Sequence, residues 1–372
     1  MNPMNKQVAF VADVHLANHK RFGGPRTGGV NDRARLILRA LNDAIASAKA
    51  TGARHFVVLG DLVDVSNPTP QLLSSLAETF TDHEDMQFHL LMGNHDLVSD
   101  QQGDNALDVL RHLVNVSVYE GAARVVDLGE LELLMVPFHA NARESLESIT
   151  RPAGKKPRIL CVHMGVSDSR TPFFLQGAAD SIGGVALSER ADALGCQLAV
   201  AGNWHSHDNW AMPHALGSRI APTVIQCGAL VPTGFDNPGT DYGHVVTVGV
   251  GKTGFVIDTE TTVPGPRFLS TTWEAFKELP AGHIYLRITA KPKDVNAARL
   301  AFKALRDDKA VVDGEVVIDA TAVRTQARSA AAAARHSDST AEAVAEYVEH
   351  MPLPEDVERA AVLSFVHKCL LA

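Results

Sequence analysis

The stretch "HFVVLGDLVD", residues 55–64, joins a short apolar run to two carboxylates. Every position from 56 to 59 is apolar, and successive side chains of a strand point to opposite faces. Both faces of this strand are therefore expected to be buried, as in a sheet that is covered on both sides. Gly60 ends the run, and Asp61 follows at once. The stretch predicts a buried strand with an acidic side chain at its carboxyl end.

The same pattern recurs along the first two hundred residues. The further runs are "QVAFVADVH" (7–15), "FHLLMGNHD" (88–96), "LELLMVPFH" (131–139), "RILCVHMG" (158–165) and "QLAVAGNWH" (197–205). Helical or loop material separates them, as in "NDRARLILRALNDAIASAKATG" (31–52), which has apolar residues at helical spacing. Buried strands that alternate with helices predict an α/β layered core, whose ligands are expected at the carboxyl ends of the strands.

The pattern changes after about residue 215, where it becomes all-β up to about residue 265. "PGPRF" (264–268) then breaks the chain, and a strand, a helix and a strand follow. We therefore predict a first domain at 1–265, a smaller α/β domain at 266–330 and a helical segment at 331–372. The closing stretch "LPEDVERAAVLSFVHKCLLA" (353–372) predicts an amphipathic helix that packs either on its own domain or on a partner.

Composition excludes several classes of protein. Hydrophobic residues make up 45% and charged residues 21%, which is ordinary globular usage. The net charge of −9 argues against a protein that coats nucleic acid through overall positive charge, although a local basic groove remains compatible with it. We find no signal sequence and no stretch that could span a membrane. The four scattered cysteines favour reduced core thiols and a cytoplasmic protein.

Chemistry-bearing side chains collect at the predicted strand ends. They are Asp13, His15, Asp61, Asn94, His95, Asp96, His163, Asn203, His205 and His207. Each one alone is weak evidence, because a histidine at a strand end is usually only solvated or capped. Together they offer oxygen and imidazole donors without thiolate, a set that suits Mn, Fe, Zn or similar divalent ions. Two such ions can share a bridging carboxylate.

This ordered set resembles the calcineurin-like metallophosphoesterases, whose signature is D-x-H, G-D-x-x-D, G-N-H-D, a lone histidine and G-H-x-H. "DVH", "GDLVD" and "GNHD" match the first three blocks, and His163 matches the fourth. The resemblance implies a four-layer fold, a β-sandwich between helices. It also implies two divalent ions, expected to be Mn²⁺ with Fe, Zn or Mg as alternatives, and a hydroxide shared by them that attacks the phosphate.

Roles carry over from the family residue by residue. Asp13 and His15 would hold the first metal, Asp61 would bridge the two, and Asn94 and His163 would hold the second. His95 would orient the phosphate or protonate the leaving oxygen, with Asp96 as its partner. Asp64 is expected to be only a turn residue or an outer neighbour of the ligands.

The last block departs from the family, because Asn203 follows Gly202 where the pattern has histidine. In one register Asn203 and His205 take the last two ligand places, with Asn203 at the second metal. In the other register the chain bulges and His205 and His207 form the pair. Imidazole is the stronger ligand, which favours the His205–His207 pair.

Within the family, the chain is most similar to SbcD-type nucleases. The similar parts are "VIQCGALVPTGFDNPG" (224–239), "TTVPGPRFLSTTW" (261–273) and the strand-helix-strand segment, which resembles a domain that caps DNA. This resemblance implies a DNA exonuclease or endonuclease and leaves a homodimer open. A coiled-coil ATPase of the SbcC type would be the partner of the C-terminal helices.

A loop after the first block is the candidate DNA contact. It carries His19, Lys20, Arg21, Arg26 and Arg33 among several glycines, where a phosphate backbone would approach. The alternative for this loop is a solvated flexible segment. Two rival functions also stay open: a small-molecule phosphomonoesterase or cyclic-nucleotide phosphodiesterase, and a metal-free scaffold of the same fold.

Overall fold

The structure is a computed structural model of the 372-residue chain. It describes residues 7–98, 105–168, 171, 175, 177–210, 222–235, 242–251, 254–276, 283–319, 348, 351 and 358–370. Within these ranges the chain divides into two compact units, residues 1–268 with 281–285 and residues 269–280 with 286–372. The predicted boundary at 330/331 lies outside the described residues.

Two six-stranded sheets form the first unit. The first sheet has the order β16 (Gly254–Thr262), β15 (His244–Gly251), β1 (Val8–Val11), β4 (His55–Leu59), β5 (Gln87–Leu91) and β6 (Val116–Tyr119). Its four strands from β1 to β6 run parallel, and β15 and β16 continue it antiparallel. The apolar runs predicted as strands supply the parallel part.

The second sheet repeats this plan. Its order is β13 (Asp208–Trp210), β14 (Thr223–Gln226), β12 (Leu198–Gly202), β9 (Arg158–His163), β8 (Glu132–Val136) and β7 (Arg124–Asp127). The four central strands are parallel, and β13 and β7 are antiparallel at the two edges. The described part of this unit also contains two short strand pairs: β2 (Arg26–Thr27) with β3 (Val30–Asn31), and β10 (Gly165–Ser167) with β11 (Ser181–Gly183).

The inner faces of the two sheets pack on each other. One buried cluster holds Phe10 and Val57 from the first sheet with Met135, Val200 and Ile225 from the second. A second cluster joins the outer face of the first sheet to two helices, and a third does the same for the second sheet. The resulting order is helices, sheet, sheet, helices, which confirms the predicted α/β sandwich between helices.

Among the described residues, four helices cover the sheets: α1 (Asp32–Ala50), α2 (Pro70–Thr81), α3 (Ala142–Ser148) and α4 (Gly184–Ala193). Helix α1 begins at Asn31, whose side chain accepts a hydrogen bond from the Ala34 amide. Its apolar stripe of Ile37, Leu41 and Ile45 is buried, and each such side chain contributes about 1.5–3 kcal/mol. This stripe fixes α1 on the first sheet.

The described part of the chain after residue 266 contains three further strands and two further α-helices. They are β17 (Arg267–Thr272), β18 (Ile284–Ala290), α5 (Val295–Asp307), β19 (Asp313–Ile318) and a C-terminal helix α6 (Arg359–Leu370). The three strands form a sheet with the order β17-β18-β19. The strand-helix-strand pattern expected after "PGPRF" is thus present, and the described part of the helical C-terminus is small. No helix among the described residues is long and apolar enough to cross a membrane.

Candidate metal centre

The predicted ligands come from the carboxyl ends of five parallel strands. Asp13 and His15 follow β1, Asp61 follows β4, and Asn94 follows β5 in the first sheet. His163 ends β9, and His205 follows β12 in the second sheet. Because the two sheets pack face to face, side chains up to 192 residues apart in sequence lie at one edge of the sandwich.

Asp13, His15 and His205 form the first group of candidate ligands. One ligand atom from each lies within 4.8 Å of the others. The Nε2 atoms of His15 and His205 are 3.0 Å apart, and their ring centroids are 4.8 Å apart. Asp13 and His15 are 0% and 2% exposed. Two imidazoles and a carboxylate therefore meet in a buried corner.

Asp13, Asp61 and His163 form the second group, again within 4.8 Å. His163 Nε2 is 3.5 Å from Asp61 Oδ2 and 3.1 Å from Asn94 Oδ1. The same Asp61 oxygen is 3.8 Å from His15 Nε2 in the first group. Asp61 thus lies between the two groups, as its predicted bridging place requires, and Asp13 belongs to both groups.

The outer nitrogens of two candidate ligands are held by oxygen atoms. His163 Nδ1 donates to the Leu59 carbonyl at 2.6 Å, and His15 Nδ1 lies 2.9 Å from Asp64 Oδ1. Each ring therefore turns Nε2 toward the shared carboxylates. An imidazole whose distal N–H is held by an oxygen is the usual arrangement of a metal-ligating histidine.

The backbone at these strand ends adopts conformations that L residues rarely take. Asp13, His15 and Asp61 have φ near +50°, and Asn203 has φ +93°. Such strain concentrates at functional sites. Gly60 is required for a steric reason as well, because a Cβ at this position would lie 2.0 Å from His163 Nδ1. Similarly, a Cβ on Gly93 would lie 2.1 Å from Asp61 Oδ1.

Burial and the charges of neighbouring side chains shift the pKa values of Asp13, Asp61 and His163. Burial raises the pKa of Asp13. Burial also acts to raise the pKa of Asp61, but the charge and hydrogen bond of His163 outweigh it and hold that pKa below its ordinary value. Burial opposes protonation of His163, yet Asp61 raises its pKa to about 9. Buried carboxylates whose charge has to be compensated by imidazolium fit a site built for divalent cations.

His95 lies at the exposed rim of the first group. Its side chain is 42% exposed, and its ring packs edge-on against His15 with centroids 4.9 Å apart. Nδ1 contacts the Asp64 carbonyl oxygen at 3.2 Å, and the His95 backbone amide donates to Asp61 Oδ1. The predicted catalytic histidine is therefore beside the ligand groups and open to a substrate.

Asp96 occupies a different place from the one predicted. It is 0% exposed, and its two carboxylate oxygens accept hydrogen bonds from the backbone amides of Val63 and Gly93. Burial and the charge of Asp61 raise the pKa of Asp96 to about 7. The expected partnership of Asp96 with His95 is not supported, because Asp96 ties together two loops and Asp64 contacts His95.

The two histidines of the last block, "GNWHSH" (202–207), lie in different surroundings. His205 joins Asp13 and His15, which is the position that the Asn203–His205 register implies for it. His207 Nδ1 lies 3.1 Å from the Cys227 carbonyl oxygen, and its ring stacks on His244 at 3.8 Å. His207 is in none of the ligand groups found among the described residues. The preference for the His205–His207 pair is therefore not supported, since no bulge brings His207 to the site.

The predicted DNA-contact loop divides into exposed and buried parts. Lys20, Arg21 and Arg26 are exposed. His19 is partly buried, with Nε2 3.3 Å from the His15 carbonyl oxygen and Nδ1 3.6 Å from Asp64 Oδ2. Burial lowers the pKa of His19 to about 4. The loop is thus attached to the ligand groups through His19.

Arg33 is a correction to the predicted surface contacts. It is 4% exposed and donates to the carbonyl oxygens of Arg21 and Thr233. Its guanidinium also lies over the Phe268 ring, 4.9 Å from the centroid. The side chain holds loops together and does not offer its charge to a ligand at the surface.

Asp64 is the residue whose importance the sequence understated. Its carboxylate contacts His15 and His19, and its carbonyl contacts His95. His15, Asp64 and His95 also form a third group with metal-ligand spacing. The signal was present in "GDLVD", where Asp64 stands three residues after Asp61, a separation that keeps both carboxylates at the same strand end.

Comparison with known families agrees with this geometry. The family model for calcineurin-like phosphoesterases matches residues 6–214, more than half of the chain. The chain belongs to this family of metallophosphoesterases. The family and the two ligand groups indicate a hydrolase that uses two divalent metal ions. No curated protein matches the chain at a significant level.

Solved structures to which the chain is similar include a purple acid phosphatase, PPD1, from yellow lupin seeds, with 14% identity and a TM-score of 0.41. A dimetal phosphatase from Danio rerio has 13% identity and a TM-score of 0.41, and the match covers 69% of this chain and 98% of that one. A putative 5'-nucleotidase from Staphylococcus aureus has 15% identity and a TM-score of 0.39, with coverages of 68% and 53%. The match to the lupin phosphatase covers 65% of this chain and 49% of that one, so this chain spans about half the length of the lupin protein. Scores this low carry no information on substrate.

Proposed function

We propose that this metallophosphoesterase is a DNA exonuclease or endonuclease of the SbcD type, with Mn²⁺ as the working metal. The observation that carries the proposal is the position of the loop with Lys20, Arg21 and Arg26. These exposed cations follow His19, which contacts both His15 and Asp64 at the metal centre. A phosphate backbone bound by the loop would lie next to the ligand groups.

The donor set defines what the chain contributes to hydrolysis. Asp13, His15, His205, Asp61, Asn94 and His163 would hold the two ions. When bound, the ions supply a water of lowered pKa and neutralise the charge that develops on the phosphate. His95 has Nδ1 against a carbonyl oxygen, so Nδ1 carries a proton, and its Nε2 is the atom left to face a substrate. In its protonated form, Nε2 would donate a proton to the leaving oxygen.

The direct test is Mn²⁺-dependent degradation of end-labelled single-stranded and double-stranded linear DNA. The wild-type protein is expected to degrade DNA, and His95→Ala is expected to lose about 100-fold in rate. Turnover of p-nitrophenyl phosphate without any degradation of DNA would contradict the proposal and favour a small-molecule phosphomonoesterase. Absence of hydrolysis together with far less than one ion per chain would favour the metal-free scaffold.

The contribution of this loop to DNA binding can be tested through the salt dependence of that binding. Lys20→Gln is expected to reduce the slope of log affinity against log salt by about 1, because one phosphate contact is lost. Lys155→Gln is the control, since Lys155 is also exposed but precedes β9 at the opposite end of the strand. An equal effect of both variants, or no change in either, would remove the loop from the proposal.

Partners follow from the nuclease proposal. The SbcC-type coiled-coil ATPase would engage the C-terminal segment that contains α6, and the chain would work as a homodimer in the cytoplasm. The full chain and a version ending at residue 339 can be compared for co-purification with such an ATPase. Equal retention of the ATPase by both would contradict this role of the segment.

A further inference from the structure

The two candidate metal positions differ in the donors that they do not share. Asp13 belongs to both groups, and Asp61 Oδ2 lies within 3.8 Å of a histidine Nε2 from each. The remaining donors of the first position are the imidazoles of His15 and His205. The second position has one imidazole, His163, and the Asn94 amide oxygen 3.1 Å from it. Imidazole binds ions such as Mn²⁺, Fe²⁺ and Zn²⁺ more strongly than a neutral amide oxygen does.

Residue 203 stands beside the second position. Gly202 pairs with His163 across β12 and β9, and a Cβ on Gly202 would be 3.2 Å from His163 Nδ1. The Asn203 backbone amide donates to both carboxylate oxygens of Asp13 at 3.1 Å. The side chain of residue 203 is therefore attached to a backbone position that lies next to both His163 and the shared carboxylate of Asp13. In this chain that side chain is an amide.

The Asn203 side chain is hydrogen-bonded to a carboxylate, that of Asp180. Asn203 Nδ2 donates to Asp180 Oδ2 at 3.2 Å. A similar carboxylate contact is made by Asp64 to the outer nitrogen of His15. The chain thus has a carboxylate in place to orient an imidazole at position 203, and it lacks the imidazole.

We propose that the two metal ions are bound with unequal strength, with the second ion held weakly because position 203 carries asparagine. The inference rests on the two-metal site of the proposed function and does not depend on DNA as the substrate. The second ion would exchange with the surrounding solution, so its occupancy would follow the concentration of free divalent metal.

Calorimetric titration of the metal-free full-length protein with MnCl₂ measures both affinities without any substrate. The wild type is expected to bind one ion at least about tenfold more tightly than the other. Asn203→His is expected to tighten the weaker site about tenfold or more, because an imidazole oriented by Asp180 joins the second ion. Histidine is among the residues that tolerate a positive φ, so this substitution suits the +93° backbone.

Two further variants sharpen the test. His207→Ala is expected to leave both affinities unchanged, whereas loss of one ion in this variant would restore the His205–His207 register and overturn the proposal. The double variant Asn203→His with Asp180→Ala is expected to lose part of the gain. Retention of the whole gain would overturn the orienting role of Asp180.

The outcomes separate this inference from the proposed function. Two equal affinities in the wild type overturn the inference and leave the nuclease proposal intact. No change of the weaker site in a folded Asn203→His protein also overturns it. If Asn203→His does not fold, as judged by thermal unfolding, the two wild-type affinities decide alone. Failure to bind any ion contradicts both, whereas inactivity on DNA with two unequal ions contradicts only the nuclease.

Discussion

Asp64 illustrates how much of this site depends on residues next to the candidate ligands. Its Oδ1 lies 2.9 Å from His15 Nδ1, and its side chain is only 28% exposed. Burial acts to lower the pKa of His15, but the contact with the Asp64 carboxylate and the charge of Asp61 outweigh it and raise that pKa. The carboxylate therefore fixes which nitrogen of His15 faces the metal position.

Asp64→Asn is expected to weaken the first metal site by about 10–100-fold, because His15 loses the charged partner that orients its ring. Titration of the metal-free variant with MnCl₂ measures this change. Asp82→Asn, at the exposed end of α2, is the control and should behave as the wild type. An Asp64→Asn protein with unaltered affinity would show that the contact does not support binding.

Three features of single residues could not be predicted from the sequence. The burial of Arg33, the loop contacts of Asp96 and the separation of His205 from His207 all depend on tertiary contacts with distant segments. A charged residue among glycines looks the same in sequence whether its guanidinium meets solvent or a carbonyl 200 residues away. The spacing of His205 and His207 likewise fits two registers equally well.

At the scale of the element, the strand ends determine where the ligands can lie. Gly60 ends β4 with φ +90°, and His163 from the other sheet occupies the space that its Cβ would fill. Gly52 has nearly the same backbone, φ +89°, but the nearest atom to its Cβ would be 3.9 Å away. Comparison of the two glycines therefore separates the cost of a positive φ from the cost of a side chain that would collide with His163.

Gly52→Ala is expected to cost about 1 kcal/mol of unfolding free energy, from the backbone conformation alone. Gly60→Ala is expected to cost more and to lower the affinity for the second ion, since His163 must move. Urea unfolding and MnCl₂ titration of both variants measure these effects. Similar stability and metal binding in the two variants would mean that the contact with His163 has no cost.

A hydrogen-bonded row of His55, His89 and Tyr119 crosses strands β4, β5 and β6. His89 Nε2 is 3.1 Å from His55 Nδ1, and His89 Nδ1 is 2.9 Å from the Tyr119 hydroxyl. Burial, with a smaller contribution from His55, lowers the pKa of His89 to about 3. In the unfolded chain this histidine takes up a proton near pH 6.5, so the unfolded state binds more protons between about pH 3 and 6.5.

The folded protein is therefore expected to lose stability as the pH falls below about 6.5. The contribution of His89 to this loss is about 2 kcal/mol between pH 7 and pH 5. His89→Gln should reduce the difference in unfolding free energy between these two pH values by that amount, as measured by urea unfolding. His112→Gln, at an exposed histidine, is the control. A pH dependence that is identical in His89→Gln and the wild type would contradict the assignment.

The strands themselves were largely predictable. The runs at 8–11, 55–59, 87–91, 158–163 and 198–202 are strands because most positions of each are apolar, and glycine or a polar residue stands at the end of each run or within two positions after it. Their order within the sheets was not predictable from these runs. Sheet order depends on which buried faces fit together, and the antiparallel addition of β15 to β1 joins segments more than 230 residues apart.

At the scale of the whole molecule, the double sheet brings the ligands together. Each sheet alone supplies part of the donor set: Asp13, His15, Asp61 and Asn94 come from the first, and His163 and His205 from the second. The buried cluster between the sheets therefore supports the metal centre as well as the fold. The family signature predicted this convergence from sequence because its blocks are specific in order and spacing.

The family and the ligand groups indicate that this chain holds two divalent ions where the carboxyl ends of its two sheets meet. Equilibrium dialysis of the full-length protein against excess Mn²⁺, followed by elemental analysis, tests it most directly. We expect two ions per chain in the wild type and a loss of bound metal in Asp61→Ala, whose carboxylate lies between both groups. Well under one ion per chain in the folded wild type would show that the two ligand groups do not form a dimetal site.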